Sequence, residues 1–184
     1  MTNKLEYPVV RDCFLARTTE DLGDVFRLRY LCYRRRGAIP ERAVGQFRDS
    51  FDGLPNQFSY LIRDSAEEPL ATIRVSVVRK DLGWTESPAE RVFGDHAAFQ
   101  SMAESSFVEA SRLCLGRTAR RDSFYVLLGS MAALGEQYGV EWLAAQCRLL
   151  CVAERYFAEV QIICWTFSPP LGIVCWMGPP EQLV

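Results

Sequence analysis

The sequence predicts a mixed α/β fold in which helices pack on a central sheet. Two long segments place apolar residues at helical spacing, and two others alternate β-branched and aromatic residues as strands do. These helical and strand-like segments follow one another along the chain, which is the order of a layered α/β fold. With 184 residues and no internal repeat or linker, the chain is predicted to form one domain, residues 1–184.

Composition narrows the class of protein. Hydrophobic residues make up 49% of the chain, charged residues make up 24%, and the net charge of −2 gives no general attraction to nucleic acid or membranes. No apolar run reaches the ~18 residues of a membrane span, and the N-terminus lacks a signal sequence. Seven cysteines without a CxxC pair favour reduced thiols, and the single histidine, His96, is interpreted as structural. We therefore expect a cytoplasmic protein that binds no nucleic acid and no metal and has no membrane span.

A short apolar segment, Cys13 to Ala16, precedes the first predicted helix. Thr18 is a suitable N-cap because an aspartate stands three residues later, and Gly37 ends the apolar periodicity. This helix ends in the arginines of 34–36. The periodicity fails over residues 38–56, where prolines and glycines accumulate, so a long loop is predicted there.

An antiparallel hairpin is predicted next. The segments QFSYLIRD, residues 57–64, and LATIRVSVVR, residues 70–79, alternate as strands around a SAEEP turn. Residues 80–104 predict a loop that contains a short helix from about Pro88 to Met102. A strand from Ser106 to Leu115 follows.

The C-terminal part predicts two helices and further strands. A helix runs from about Asp122 to Tyr138, where Gly139 ends it. A strand at 141–147 and a helix near 152–157 come next. The Cys- and Trp-rich tail is β-prone and is expected to close the sheet as one or two strands.

Charged residues interrupt the strand predicted at 106–115. Glu109 and Arg112 stand three residues apart, so in a regular strand their side chains point to opposite faces. Apolar neighbours imply at least one buried face, and a buried charge requires a partner. Two interpretations of Glu109 remain open: a general base whose pKa is raised by burial, or one half of a Glu–Arg pair between adjacent strands.

An arginine-rich turn joins this strand to the next helix. It contains Gly116, Arg117, Arg120 and Arg121, and the start of the following helix offers main-chain N–H groups. Such a junction suits a phosphate or pyrophosphate group. A solvated arginine turn is the alternative.

Two carboxylates, Asp49 and Asp52, lie in the long loop. Arg29, Arg48 and Arg74 are their candidate counter-charges. A carboxylate pair at this spacing can bind an amino group or a metal, or can organise the turn itself. The turn is the default interpretation.

Four features, taken in order, resemble one group of enzymes. They are an arginine four residues before an aromatic residue on the first helix, a D-x-x-D pair in the loop, a strand arginine, and E-x-S-R on the next strand. The residues concerned are Arg29, Tyr33, Asp49, Asp52, Arg74, Glu109, Ser111 and Arg112. This order is similar to that of acyl-homoserine-lactone synthases, which have the Gcn5-related N-acetyltransferase fold. "RLRYLCYRRRGAI" and "EASRLCLGRTARR" resemble still more the long-chain N-acyl amino acid synthases from environmental DNA, especially those that make N-acyltyrosines.

The resemblance implies a fold class and a reaction. The fold would be a mixed, mostly antiparallel sheet flanked by helices. The reaction would transfer a medium- or long-chain fatty acyl group from a phosphopantetheine thioester to the α-amino group of an amino acid, with tyrosine the first expectation. Acyl carrier protein would be the donor, or acyl-CoA in its place, and no cofactor would be permanently bound. The tryptophan usual after the first helix of the lactone synthases is absent, which favours a plain amino acid acceptor.

The same resemblance implies roles for individual residues. Glu109 would act as general base, with Ser111 and Arg112 as further catalytic residues. The acceptor would be bound by Arg29, Tyr33, Asp49, Asp52 and Arg74. The phosphopantetheine arm and its carrier would contact Leu113, Cys114, Leu115, Gly116, Arg117, Arg120 and Arg121. Main-chain N–H groups of 111–114 would stabilise the oxyanion if the strand splays or bulges there.

Two alternatives differ in class. A short-chain acetyl-CoA N-acetyltransferase normally carries a Q/R-x-x-G-x-G/A turn, which LCLGRTARRD meets poorly. A non-catalytic module that binds acyl or phosphopantetheine groups would use the same arginines and leave Glu109 structural.

Overall fold

The computed structural model describes residues 13–41, 43–95, 99–100, 104, 106–148, 160–166 and 174–178. In this part of the chain one sheet of seven strands runs in the spatial order β1 to β7. The strands are β1 (Cys13–Leu15), β2 (Gln57–Arg63), β3 (Pro69–Val78), β4 (Phe107–Leu115), β5 (Trp142–Arg148), β6 (Val160–Thr166) and β7 (Val174–Gly178). The helices are α1 (Thr19–Arg35), α2 (Pro88–Phe93) and α3 (Arg121–Gln137), with a short 3-10 helix at Lys80–Leu82.

Neighbouring strands of the sheet pair antiparallel, with one exception. β4 and β5 are parallel, and their register runs only from Phe107 to Ala110 on β4. Beyond Ala110, β4 keeps β3 as its partner while β5 pairs with β6. The two parallel strands therefore separate along the second half of β4.

The two faces of β3 have opposite chemistry. Ala71, Ile73, Val75 and Val77 point to one face, where they pack with Leu127 and other residues of α3. Residues 72, 74 and 76 are polar, and strand periodicity places them on the other face, toward α1 and α2. All of these residues are buried, so the polar face is covered although its residues are hydrophilic.

Helix α1 begins as its sequence predicts. Thr18 Oγ1 accepts from the Asp21 main-chain N–H at 3.0 Å, and the Asp21 carboxylate accepts from Thr18 in return. The helix ends at Arg35, and Gly37 follows in the left-handed region at φ 68°. Its buried face includes Val25, Leu28 and Arg29.

The structure differs from the sequence prediction in a few elements. Residues 13–15 form an edge strand, and the short helix stops at Phe93 because Gly94 serves as its C-cap. In agreement with the prediction, the tail contributes two strands, β6 and β7, to the sheet. The helix predicted near 152–157 and His96 lie outside the described residues. Among the described helices, none has the length and apolarity needed to cross a bilayer.

Candidate active site

A β-bulge in β4 shapes the site. Thr72 is in register with Cys114 and Arg74 with Ser111, so β4 has one more residue than β3 over this stretch. Arg112 adopts φ 54°, a conformation that is uncommon for a residue with a side chain. The prediction that Glu109 and Arg112 point to opposite faces is therefore wrong. The extra residue turns the Arg112 side chain to the polar face, where Asp49 binds it.

The splay of β4 leaves the stretch near this bulge without register partners on β5 in the described sheet. Arg112 and Leu113 have no register partner on β3, and residues 111–115 have none on β5 within the described sheet. This part of β4 is the stretch where the sequence predicts oxyanion donors. A strand stretch that is unpaired on one side is the arrangement in which main-chain N–H groups can stabilise an oxyanion.

Glu109 is fully buried on the polar face. Its Oε2 accepts a hydrogen bond from the Ala89 N–H in the first turn of α2, at 2.9 Å, while Oε1 has no partner among the described residues. Burial raises the pKa of Glu109 to about 7, although the Ala89 N–H, the Ser87 hydroxyl and the charge of Arg74 act to lower it. Near neutral pH this carboxyl group can both release and take up a proton.

An arginine–aspartate cluster lies beside Glu109. Arg29 Nη1 donates to Asp52 at 2.6 Å, and Arg74 Nη1 donates to Asp49 at 2.6 Å and to Asp52 at 3.2 Å. Arg74 also donates through Nε to Ser111 Oγ, at 3.1 Å. These contacts join four of the sequence-predicted elements, namely the first helix, the loop and the two central strands.

Asp49 has two roles in this cluster. Its Oδ1 accepts from the Phe51 N–H at 3.0 Å, as the turn interpretation requires, and its Oδ2 accepts from Arg112 Nε at 2.9 Å. Burial alone raises the pKa of Asp49, but the charges and hydrogen bonds of Arg74 and Arg112 lower it below its ordinary value. The carboxylate is therefore held in its ionised form.

Aromatic rings surround Arg112. Its guanidinium lies 5.8 Å from the centre of the Tyr33 ring and 5.1 Å from that of Phe47, and the two rings contact each other edge to face at 4.9 Å. The loop that carries Phe47 is fastened to α1 by a hydrogen bond from its N–H to the Phe26 carbonyl, at 3.0 Å. Tyr33 and Phe47 therefore form an aromatic wall at the edge of the cluster.

The turn after β4 is exposed and basic. Arg117, Arg120 and Arg121 are solvent-exposed, and within the described chain none pairs with a carboxylate. Gly116 is tightly placed, because a Cβ there would lie 2.9 Å from the Leu70 carbonyl oxygen. Arg35 of α1 donates to the Leu115 carbonyl at 3.2 Å, which brings the basic end of α1 to this turn.

The side chains of the remaining predicted carrier-binding residues pack against other parts of the protein. Cys114 is buried against Leu28 and Cys32, and both Cys32 and Cys114 are free thiols. The hydrogen bond shared with Cys32 and burial raise the pKa of the Cys114 thiol well above its usual range, which does not suit a nucleophile. Leu113 and Leu115 are partly buried and pack against the core on the α3 side of the sheet.

Some contacts of the site were missed from the sequence. Arg112 replaces Arg48 as the third counter-charge of the aspartates, because the bulge redirects it, and Arg48 instead lies over the Phe26 ring at 5.6 Å. Ala89 acts through its main-chain N–H, which leaves no mark in the sequence. Ser87 could have been noticed as an N-cap before Pro88. Within the described residues no cluster of three His, Cys, Asp or Glu side chains forms a metal site.

Comparison with known proteins identifies the family. The model of the family "N-acyl amino acid synthase FeeM" matches residues 24–158, well over half of the chain. No curated protein shows a significant sequence match. The predicted fold class, a mixed, mostly antiparallel sheet flanked by helices, is confirmed.

Three solved structures share the fold at low sequence identity. FeeM, an N-acyl amino acid synthase from uncultured soil microbes, has a TM-score of 0.59 and 10% identity, over 74% of this chain and 71% of that one. BjaI, a CoA-dependent acyl-homoserine lactone synthase solved with SAM and isopentyl-CoA, has a TM-score of 0.55 and 17% identity, over 93% of this chain and 84% of that one. TofI, solved with an inhibitor and MTA, has a TM-score of 0.53 and 15% identity, over 90% of each chain. The chain therefore belongs to the FeeM family of N-acyl amino acid synthases and is an N-acyltransferase.

Proposed function

We propose that the protein transfers a medium- or long-chain fatty acyl group from acyl carrier protein to the α-amino group of an amino acid, with a tyrosine-like acceptor. The observation that carries this proposal is the pairing of a buried carboxyl group with a buried guanidinium, each with one open position. Glu109 Oε1 and Arg74 Nη2 are both buried and lack a hydrogen-bond partner within the described chain. An amino acid presents the complementary groups, an ammonium and a carboxylate.

The acceptor carboxylate would complete the charge balance of the cluster. Three guanidinium groups share two aspartates there, so one positive charge is left over while Glu109 is neutral. The carboxylate would bind Arg74 through its open Nη2, and the residues Arg29, Asp49 and Asp52 would hold Arg74 in place. The aromatic wall of Tyr33 and Phe47 supports an aromatic side chain on the acceptor.

The acceptor ammonium would first release one proton to solvent. The neutral amine then attacks the thioester carbonyl carbon and a C–N bond forms, while Glu109 accepts the second proton that this nitrogen loses and N–H groups of the splayed part of β4 stabilise the oxyanion. Collapse breaks the C–S bond, and Glu109 passes its proton to the departing thiolate. Ser111 and Arg112 act by holding Arg74 and Asp49, at 3.1 and 2.9 Å respectively.

The donor would bind along the splayed strand and the basic turn. The pantetheine arm can pair with the free edge of residues 111–115, near Leu113, Cys114 and Leu115. The arm would pass close to Gly116, and its phosphate would bind Arg117, Arg120 and Arg121. An acidic carrier protein would be attracted by the same arginines and by the arginines at 34–36, at the C-terminal end of α1. No permanently bound cofactor enters this scheme.

Mass spectrometry tests the proposal. Purified protein is incubated with acyl carrier protein or CoA carrying medium or long acyl chains and with a mixture of the twenty amino acids. We expect an N-acyl amino acid, made from the carrier-protein donor and richest in tyrosine. A product formed only with the CoA donor would show that acyl-CoA, and not acyl carrier protein, is the donor. A product dominated by another amino acid would show that tyrosine is not the preferred acceptor. No acylated amino acid with any donor, from folded protein, would overturn the proposal.

A further inference from the structure

The turn that carries the Ala89 N–H needs a support of its own. Helix α2 has six residues, too few to hold its first turn rigid in isolation. Residues 85–87, which lead into it, have no regular structure. Yet this turn supplies two groups that favour the ionised form of Glu109, the Ala89 N–H and the Ser87 hydroxyl.

Asn56 fastens this turn to the sheet. Its side-chain Nδ2 group donates to the Glu86 carbonyl at 2.8 Å and to the Val77 carbonyl of β3 at 3.0 Å. The main-chain carbonyl of Asn56 accepts from the Val77 N–H at 2.9 Å. Only 2% of Asn56 is exposed. Glu86 precedes Ser87 directly, so the amide of Asn56 holds the segment that ends at Ala89.

A chain of hydrogen bonds continues from Asn56 back to the strand partner of Glu109. Gln57 Nε2 donates to Asn56 Oδ1 at 3.3 Å, and Ser76 Oγ donates to Gln57 Oε1 at 2.6 Å. Ser76 is in register with Glu109 across β3 and β4. The base is thus enclosed by a ring of contacts that runs through Ser76, Gln57, Asn56 and the α2 turn.

We propose that Asn56 is a positioning residue for the proton transfer: it acts through Glu86 to set the distance between the α2 turn and Glu109. This inference rests on the proposed function and extends it to a residue that is absent from the family pattern described above. Asn56 carries no charge and touches neither the reacting groups nor the arginine–aspartate cluster in the described contacts. Its effect on Glu109 is therefore indirect.

Replacing Asn56 removes no charge from the surroundings of Glu109, because Asn56 is neutral. Arg74 faces it from β3 and Arg112 from β4, while α2 contributes the Ala89 N–H and the Ser87 hydroxyl. Asp49 and Asp52 are bound to those arginines. Because the Ala89 hydrogen bond favours the ionised form, weakening it raises the pKa of Glu109.

Infrared difference titration measures this effect without requiring acyl transfer. The carboxyl band of Glu109 is identified as the one lost in Glu109→Gln and is followed against pH in the wild-type protein and in Asn56→Ala. We expect the midpoint to rise by about 0.4 to 1 pH unit, the equivalent of one ordinary hydrogen bond. The acidic limb of kcat/KM for acyl transfer is expected to move by the same amount.

Thr72→Val is the matched control. Its hydroxyl donates to the Tyr60 carbonyl at 2.7 Å, so the variant loses a buried hydrogen bond in the same sheet without touching the α2 turn. We expect an unchanged midpoint in Thr72→Val. An unchanged midpoint in Asn56→Ala, or an equal rise in Thr72→Val, overturns the proposal. If Asn56→Ala does not fold, Asn56→Ser, which keeps one donor, is titrated with the same criteria. Absence of transfer in the wild-type protein refutes the proposed function instead and leaves the titration valid.

Discussion

The two faces of strands β3 and β4 are equally buried but are built differently. On the α3 side, Val75, Val108 and Leu127 form an apolar core that needs no particular partner atom. On the other side, each buried charge or hydroxyl depends on a specific neighbour, as Arg74 does on Asp49. The difference shows where the molecule has placed groups that chemistry can use, since a core built for stability alone does not require them.

Removing a charge from the polar face is expected to have the largest effect on stability. Asp52→Asn removes the charged partner of Arg29 at 2.6 Å, leaving it the Ser59 hydroxyl at 3.0 Å, and removes one of the two charged partners of Arg74; both arginines are fully buried. The free energy of unfolding should fall by about 3–5 kcal/mol, as for other broken buried ion pairs. Denaturant unfolding measures it. The exposed pair of Arg79 and Asp81 gives the control, since Asp81→Asn should leave the midpoint unchanged. Equal losses in both variants would contradict the comparison.

Removing volume from the apolar face should affect stability without affecting the chemistry. Leu127→Ala deletes a fully buried side chain and is expected to cost about 3 kcal/mol. The rate of acyl transfer per folded molecule should be unchanged, because α3 contributes no group to the polar cluster. Leu31→Ala, at a position with 57% exposure, should change stability by no more than about 0.5 kcal/mol. A loss of transfer in folded Leu127→Ala would show that the faces are not separate in function.

The pKa of Glu109 predicts an unusual pH dependence of stability. The pKa is raised by burial, from 4.5 to about 7, so folding takes up a proton between these pH values and stability falls as pH rises through them. Glu109→Gln should abolish this fall in stability, because glutamine has no proton to lose. Above pH 7 the variant should be more stable than the wild-type protein by on the order of 3 kcal/mol, with little difference near pH 4.5. Denaturant unfolding at pH 5 and pH 8 measures both. A difference that does not grow with pH would show that Glu109 is not buried in this way.

The turn at the end of β4 should tolerate no added carbon atom. In Gly116→Ala the new Cβ meets the Leu70 carbonyl oxygen at 2.9 Å, so the main chain must move, at a cost of about 1–3 kcal/mol. Gly129 in α3 has nothing within 4 Å of such a Cβ, and Gly129→Ala should stabilise the helix by about 0.5–1 kcal/mol. Thermal unfolding compares the two. Equal effects would mean that the approach of Gly116 to β3 is not tight.

Periodicity predicted most of the fold, because its helices and strands bury regular faces. The capping pair at Thr18, the hairpin and the helix ended by Gly139 all follow from local patterns. The tail strands were predicted from composition alone. The length of α2 was overestimated, since Gly94 ends it after two turns at most.

Several of the predicted site residues lie together in the structure, and their roles stay predictions; their geometry was not predicted. The acid–arginine series of the resemblance does come together, with Asp49 and Asp52 between Arg29 and Arg74. The position of Arg112 could not be predicted, because a residue other than glycine at φ 54° has no sequence signal. The support of Glu109 by Ala89 also escaped prediction, since a main-chain N–H twenty residues away is the same in every sequence.

The central claim is that Glu109 on the polar face carries the proton transfer. The most direct test is the single-turnover rate of N-acyl amino acid formation in Glu109→Gln, with donor binding measured on the same sample. The donor should bind as in the wild-type protein while the rate falls by about 10²–10⁴-fold, the contribution of a general base. A rate within a few-fold of the wild-type value, in a variant that folds and binds donor, would show that Glu109 is not the base.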